Sequence, residues 1–254
     1  MPASALLTAA SAASLQVASL NLCTDELLLA LAAPEQIVSV THLAQKPQET
    51  SLWRQARRYP QNDGSLLSVV GRKPDLVVTM GGGARDRVRI ARRLGIRILD
   101  LPYPQGLADV EKAIATVADA LGRPHAGRQW LARIAALKRT EPRRMPDTIW
   151  LGGGGRSVQA AGLAADWMRL AGFRQRRLVG DRVSLEQLLV RPPAILLRSD
   201  YRSEQYSGEQ RWLMHPLAKG TRKSRTVPTD GRAWTCMGPP MVDEVLRLRR
   251  LVGR

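Results

Sequence analysis

The sequence predicts an α/β protein of two lobes, each a parallel sheet flanked by helices, joined by a long α-helix with a cleft between the lobes. Three observations predict it. Buried-type strands alternate with helices at both ends of the chain, the middle is helical only, and one segment occurs twice, once on each side of that middle. The expected organisation is an N-terminal lobe at 15–122, an interlobe helical segment at 123–146 and a C-terminal lobe at 147–254. Residues 1–14 read as part of a signal peptide or as a tail. Their small-residue stretch ends in an Ala-Ser-Ala step, but no basic segment precedes it.

In chain order, residues 15–20 form a strand that turns at Asn21 to Thr24. A helix follows over 25–33, with Thr24 or Asp25 placed to cap it. Pro34 stops that helix and 36–41 is the next strand. A helix at 65–73 runs through Pro74 into a buried strand at 74–80. Gly81 to Gly83 then turn the chain into a helix at 84–95 and a strand at 96–101. Residues 107–122 carry apolar positions at helical spacing, and Pro124 starts a second helix that reaches Thr140. The α/β pattern then resumes with a strand at 147–151, a turn at Gly152 to Gly155 and a helix at 163–172.

The repeated segment is SLLSVVGRKPDLVVTM (65–80) and SLEQLLVRPPAILLRS (184–199), which align without a gap. Ser65 matches Ser184, Leu66 matches Leu185, Arg72 matches Arg191 and Pro74 matches Pro193. The same helix–proline–strand unit at the same place in two halves implies two similar lobes.

The composition is that of a folded globular chain: 254 residues, 44% hydrophobic and 24% charged. No stretch of about 18 apolar residues escapes a charge, so no membrane-spanning helix is expected. Basic residues number 39 against 22 acidic ones, a formal charge of +17 that favours anionic partners. The basic residues are dispersed, and no helix-turn-helix, zinc signature or basic stripe interleaved with aromatics accompanies them, so nucleic acid is not the expected partner. His42, His125 and His215 lack metal-ligand spacing, and no metal site is expected.

Two α/β lobes place a cleft at the carboxyl ends of their strands. The loops predicted there are Asn21, Leu22, Cys23 and Thr24; His42 after the second strand; Met80, Gly81 and Gly82; and Tyr103. From the second half come Gly153 and Arg156, Arg198 and Tyr201, and Trp234 and Cys236. Glycines, aromatics and small polar residues dominate, a set that fits contact with a ligand better than acid–base chemistry. Tyr103, Tyr201 and Trp234 offer rings for a flat ligand, and Arg156 and Arg198 offer charge to an acidic one. The run Gly152 to Gly155 lacks the ending of a phosphate-binding loop and reads as a close backbone approach or a turn. Cys23 and Cys236 stand open to three readings: a disulfide across the cleft, soft ligands for a metal centre, or two separate thiols.

Taken together, VASLNLCTDELLLALAAPEQIVSVT, GRKPDLVVTMGGG, LGIRILDL and PPMVDEVLRLRRLV resemble the periplasmic binding proteins for vitamin B12 and ferric siderophores, the helical-backbone class of solute-binding proteins. The parallels run from Gln16 to Leu251. The resemblance implies a stiff interlobe helix, a periplasmic location, and a monomer without a cofactor of its own. It also implies a metal-chelate ligand, a ferric siderophore or corrinoid, delivered to an ABC permease in the inner membrane. That family's permease-docking glutamates fall on Arg85 and Thr235, with Asp86 as an acidic neighbour in the first lobe. Two alternatives remain: a haem-binding protein of the same fold, and an enzyme using a Cys23–His42 pair.

Overall fold

In the computed structural model the described residues are 14–82, 85–201 and 207–253. The expected leader segment therefore lies, except for Ser14, outside the described residues.

The first lobe opens with strand β1 (Val17–Ser19), buried on both faces, and helix α1 (Leu22–Leu31). The cap of α1 is Asn21, not Thr24 or Asp25. Asn21 has extended backbone, and its side-chain oxygen accepts the Thr24 N–H at 2.9 Å while its amide donates to the Met80 carbonyl at 3.2 Å. Strand β2 (Ile37–Thr41), the helical turn α2 (Trp53–Ala56) and the short strand β3 (Gln61–Asn62) follow. The helix expected at 65–73 is reduced to the turn α3 (Leu67–Val70), because the left-handed Lys73 and Pro74 end it. Strand β4 (Leu76–Met80), helix α4 (Arg85–Arg93) and strand β5 (Arg97–Leu101) complete a five-stranded parallel sheet of order β3-β2-β1-β4-β5.

Helices α5 (Leu107–Ala120) and α6 (Pro124–Arg139) pack on each other and carry the chain across. The second lobe consists of β6 (Asp147–Leu151), α7 (Leu163–Ala171), β7 (Arg174–Gln175), α8 (Leu185–Val190), β8 (Ile195–Ser199), α9 (Gly208–Leu213), α10 (Pro216–Lys219), β9 (Arg225–Thr229), α11 (Ala233–Cys236) and α12 (Pro240–Val252). Its four strands are also parallel, in the order β7-β6-β8-β9.

The two repeated segments occupy equivalent places. α3–β4 delivers the strand that pairs with β1, and α8–β8 delivers the strand that pairs with β6. Three strands received no residue range in the sequence reading, and all three are sheet edges. β3 and β7 have two residues each, too few to show alternation, and β9 contains Pro228, which an edge strand tolerates.

The lobes share one hydrophobic core. It runs from Val17 and Leu28 through Ile114 of α5 and Ile134 of α6 to Trp167 and Met168 of α7 and Val245 of α12. Polar ties cross the same seam. Trp130 of α6 donates to the Ala30 carbonyl at 3.1 Å, and the Leu107 N–H at the start of α5 donates to Asp166 of α7 at 3.1 Å. No helix of the described residues is long and apolar enough to cross a membrane.

A shared core couples the unfolding of the lobes. Ile134, fully buried where α6 meets both, provides the test. Ile134→Ala is expected to cost about 2–5 kcal/mol. Urea unfolding followed by far-ultraviolet dichroism and by tryptophan fluorescence should move to lower midpoint as a single coincident transition.

Candidate functional site

In both sheets the strand order reverses beside the first strand of the lobe, so a crevice opens at the carboxyl ends of β1 and β4 in one lobe and of β6 and β8 in the other. The residues expected at the cleft fall around these ends, but they differ in what they can reach.

On the N-terminal side, Gly81 and Gly82 are exposed after β4, and Tyr103 is 61% exposed after β5. Gly81 has φ +107, and a Cβ there would lie 2.4 Å from the Tyr103 ring. Glycine at this place lets the phenol lie on the backbone with its other face free. Asn21 is half-buried and committed to capping α1. Leu22 and Thr24 are buried, with Thr24 hydrogen-bonded to Ser19, so their side chains hold the loop together, while the buried Met80 lines a small gap beside the Cys23–Cys236 bridge. His42 is half-buried, and its backbone N–H donates to the Asn62 carbonyl at 2.9 Å.

Cys23 and Cys236 form a disulfide with Cα atoms 5.1 Å apart. It joins the first turn of α1 in one lobe to α11 in the other, across 213 residues of sequence. The reading of two separate thiols is thereby corrected, and so is that of soft metal ligands. The Cys23–His42 enzyme reading loses its nucleophile, since a bridged sulfur has no thiolate. Among the described residues, no group of three or more His, Cys, Asp or Glu is placed to hold a metal ion.

The C-terminal side holds a pocket of about 530 Å³ at the ends of β6 and β8. Gly153, Arg156 and Tyr201 line it, together with Trp150, Ser157, Ser199 and the first turn of α9. The glycine run is a closed turn: Gly152 N–H donates to the Arg156 carbonyl at 2.8 Å, and Arg156 N–H returns to Gly153 at 3.2 Å. Its N–H groups are thus partly spent internally, which favours the close-approach reading over a phosphate cradle. Arg156 reaches out and pairs with Glu209 at 2.7 Å. Tyr201 bridges the lobes, its hydroxyl donating to the buried Glu49 carboxylate at 2.9 Å.

Two residues expected at the mouth are elsewhere. Trp234 is 6% exposed, donates its indole N–H to Thr229 at 2.7 Å and tilts against Trp150 with ring centroids 5.9 Å apart. It packs behind Trp150 of β6, whose ring lines the pocket. Arg198 lies along β8 and donates to the Leu213 carbonyl at 3.2 Å, anchoring the end of α9. Cys236 is buried with its bridge. Of the docking positions, Thr235 is exposed on α11, whereas the side chains of Arg85 and Asp86 lie outside the described residues.

Beneath the bridge, two adjacent carboxyls of α1 are buried at the seam. Asp25 accepts from the backbone and side chain of Thr41, and burial still raises its pKa to about 6. Glu26 is pushed up to about 8, by burial first and by the nearby Asp25 and Asp230 charges after that. Thr50 donates to one Glu26 oxygen at 2.7 Å. The other oxygen has no partner among the described residues and faces Gly238 of the second lobe, where a Cβ would come within 3.9 Å. A neutral Glu26 is the form this seam accommodates.

Six residues lining the pocket were not picked out from sequence: Trp150, Ser157, Val158, Ser207, Glu209 and Gln210. α9 carried a readable signal in Ser207-Gly-Glu-Gln210, an N-cap pattern in which Ser207 accepts the Gln210 N–H at 3.1 Å. The ring of Trp150 had none, because strand alternation does not tell which face borders a crevice.

The sequence profile of the periplasmic binding protein family matches residues 17–222. No protein of curated function matches the chain. Among solved structures, the periplasmic heme-binding protein HutB of Vibrio cholerae superposes with a TM-score of 0.73 at 16% identity, covering 94% of this chain and 99% of that one. The periplasmic vitamin B12-binding protein BtuF of Vibrio cholerae gives 0.65 at 16% identity, covering 94% and 96%. The siderophore-binding protein BauB, bound to two molecules of acinetobactin and ferric iron, gives 0.69 at 14% identity, covering 93% of each chain.

The seam yields two predictions. Replacing both cysteines by serine should lower stability by about 2–5 kcal/mol, since the bridge closes a very long loop in the unfolded chain. Urea denaturation of the variant and of the dithiothreitol-treated parent should then show matching losses. The second concerns pH. Asp25 and Glu26 bind protons more tightly folded than unfolded, so their stabilisation is complete in acid and is lost as pH rises from the ordinary glutamate value of 4.5 through about 8. Melting temperature should fall between pH 5 and pH 9, and Glu26→Gln should flatten that slope. An unchanged slope in the variant would place the titration elsewhere.

Proposed function

Since the chain belongs to the periplasmic binding protein family, we propose that it is the substrate-binding component of an ABC importer. In this reading it captures a metal-chelate small molecule between its lobes, without chemistry, and hands it to a permease in the inner membrane. The observation that carries the reading is the pairing of two strand-end crevices across a fastened seam, one offering Tyr103 and bare glycine backbone, the other an open pocket with a solvent-exposed arginine paired to Glu209.

Within the chelates, a ferric siderophore, a corrinoid and haem are the candidates. The solved proteins of this fold named above bind heme, vitamin B12 and a ferric siderophore complex respectively. The buried position of Trp234 withdraws the ring that favoured a corrinoid, and the disulfide withdraws a cysteine ligand for haem iron. Arg156, with a side chain 61% exposed, supports an anionic chelate, and so does the net charge of +17. The stiff seam supports capture with small lobe movements, because helices α5 and α6 and a shared core leave no simple hinge.

Titration of the purified protein with haem, cobinamide, cobalamin and a panel of ferric siderophores tests this, read by tryptophan fluorescence with correction for ligand absorption. Trp150 at the pocket wall is the expected reporter. Saturable quenching at micromolar concentration or below by an anionic chelate is the expected result. A protein silent to the whole panel would overturn the ligand class.

A further inference from the structure

Glu209 is the one acidic side chain among the described residues lining the C-terminal pocket, in which every other polar side chain is neutral or cationic. It is held there by construction. Ser207 caps the short helix α9, and α9 lies directly on the glycine turn that follows β6. A Cβ on Gly153 would come within 3.0 Å of the Glu209 Cβ, and one on Gly154 within 3.4 Å of its Cγ. Only a bare backbone admits the glutamate stem at that depth. The carboxylate then meets Arg156 at 2.7 Å.

This pair does not secure the fold. The side chains are 61% and 51% exposed, and an ion pair in that setting contributes roughly 0–1 kcal/mol. A weak, solvated pair at the mouth of a pocket, between its one anion and an arginine that reaches into it, is readily exchanged. Around it Ser199 and Gln210 add polar side chains to the lining, while the hydroxyls of Ser157 and Tyr201 are engaged with the Trp150 carbonyl and Glu49. Behind it the Trp150 ring carries a buried N–H with no partner among the described residues, so the wall is not fully matched by its own neighbours.

We propose that Glu209 is an internal stand-in for the ligand: its carboxylate occupies, against Arg156, the position taken by a carboxylate of the captured molecule, which binds by displacing it. The proposal deepens the binding-protein reading and rests on it for the identity of the cleft. It names the ligand class as carboxylate-bearing and gives the pair a selective role. A ligand with a suitably placed carboxylate replaces one ion pair with another, whereas a neutral or cationic ligand must leave Arg156 with Glu209 and gains nothing from it.

The test uses citrate, a metal-free polycarboxylate, in calorimetric titrations of the full-length parent, Glu209→Gln, Arg156→Gln and the double variant. Both side chains are exposed, so melting temperatures should stay close to that of the parent. Removing the internal competitor should tighten citrate binding by a few-fold, up to about fivefold, in Glu209→Gln, the worth of the exposed pair that the ligand otherwise displaces. Arg156→Gln should weaken it, and the double variant should behave as Arg156→Gln. The proposal is overturned if Glu209→Gln binds citrate no better than the parent, if its gain survives in the double variant, or if citrate binds none of the four. The readout is independent of the chelate panel. A silent panel with the expected citrate pattern removes the import ligand and keeps the exchange at Arg156, and the opposite pair of results does the reverse.

Discussion

The seam between the lobes is the constraint on which the site depends. Each crevice is formed by one sheet alone, and neither encloses a ligand by itself. Their mutual position is set where α1 meets α11, by the Cys23–Cys236 bridge, and where α1, α5, α6, α7 and α12 share a core. The two kinds of restraint act differently. The core opposes separation through buried apolar surface, while the covalent link chiefly removes conformations of the unfolded chain. Both leave a cleft shaped before the ligand arrives, so less of the binding free energy is lost to ordering the protein.

The same seam reconciles a strongly basic surface with an acidic interior. Asp25, Glu26, Glu49 and Glu244 are all buried in a chain whose net charge is +17. Each uses its environment in its own way. Asp25 and Glu26 accept from threonines, Glu49 accepts from Tyr201 of the other lobe, and Glu244 accepts from Thr229 and pairs with Arg247. Buried carboxyls next to one another are costly when both are ionised. Glu26 faces Gly238 of the second lobe, so the fit of the lobes at that point responds to its protonation, while the surface cations stay in water.

Fold was legible from sequence because it follows from local periodicity. Buried five-residue strands such as 76–80 and 195–199 sit between helices, and their repetition disclosed two lobes without any contact being known. What escaped were features fixed by neighbours far away in sequence. The two-residue edge strands owe their conformation to β2 and β6 and not to their own residues. Among candidate site residues, the spacing brought loops to the strand ends, yet it could not tell which side chain on a loop faces inward. Trp234 and Trp150 show the difference. Both are near strand ends, and only packing decides that one braces and the other borders the pocket. The cysteines lie on loops of different lobes, and their proximity is a property of the assembled pair.

The lobes repeat one topology, but their crevices are chemically unequal, and the inequality has a structural source. In the first lobe the chain leaves β4 through Gly81 and turns at once beneath Tyr103, so that crevice ends in an aromatic face and bare backbone. In the second, four glycines follow β6 and draw the backbone into a tight turn, which leaves room for α9 to descend and bring a polar, charged edge with it. One lobe therefore presents a surface suited to the flat or apolar part of a ligand, and the other a surface suited to its charge. A molecule that met both surfaces would be amphipathic and would span the seam.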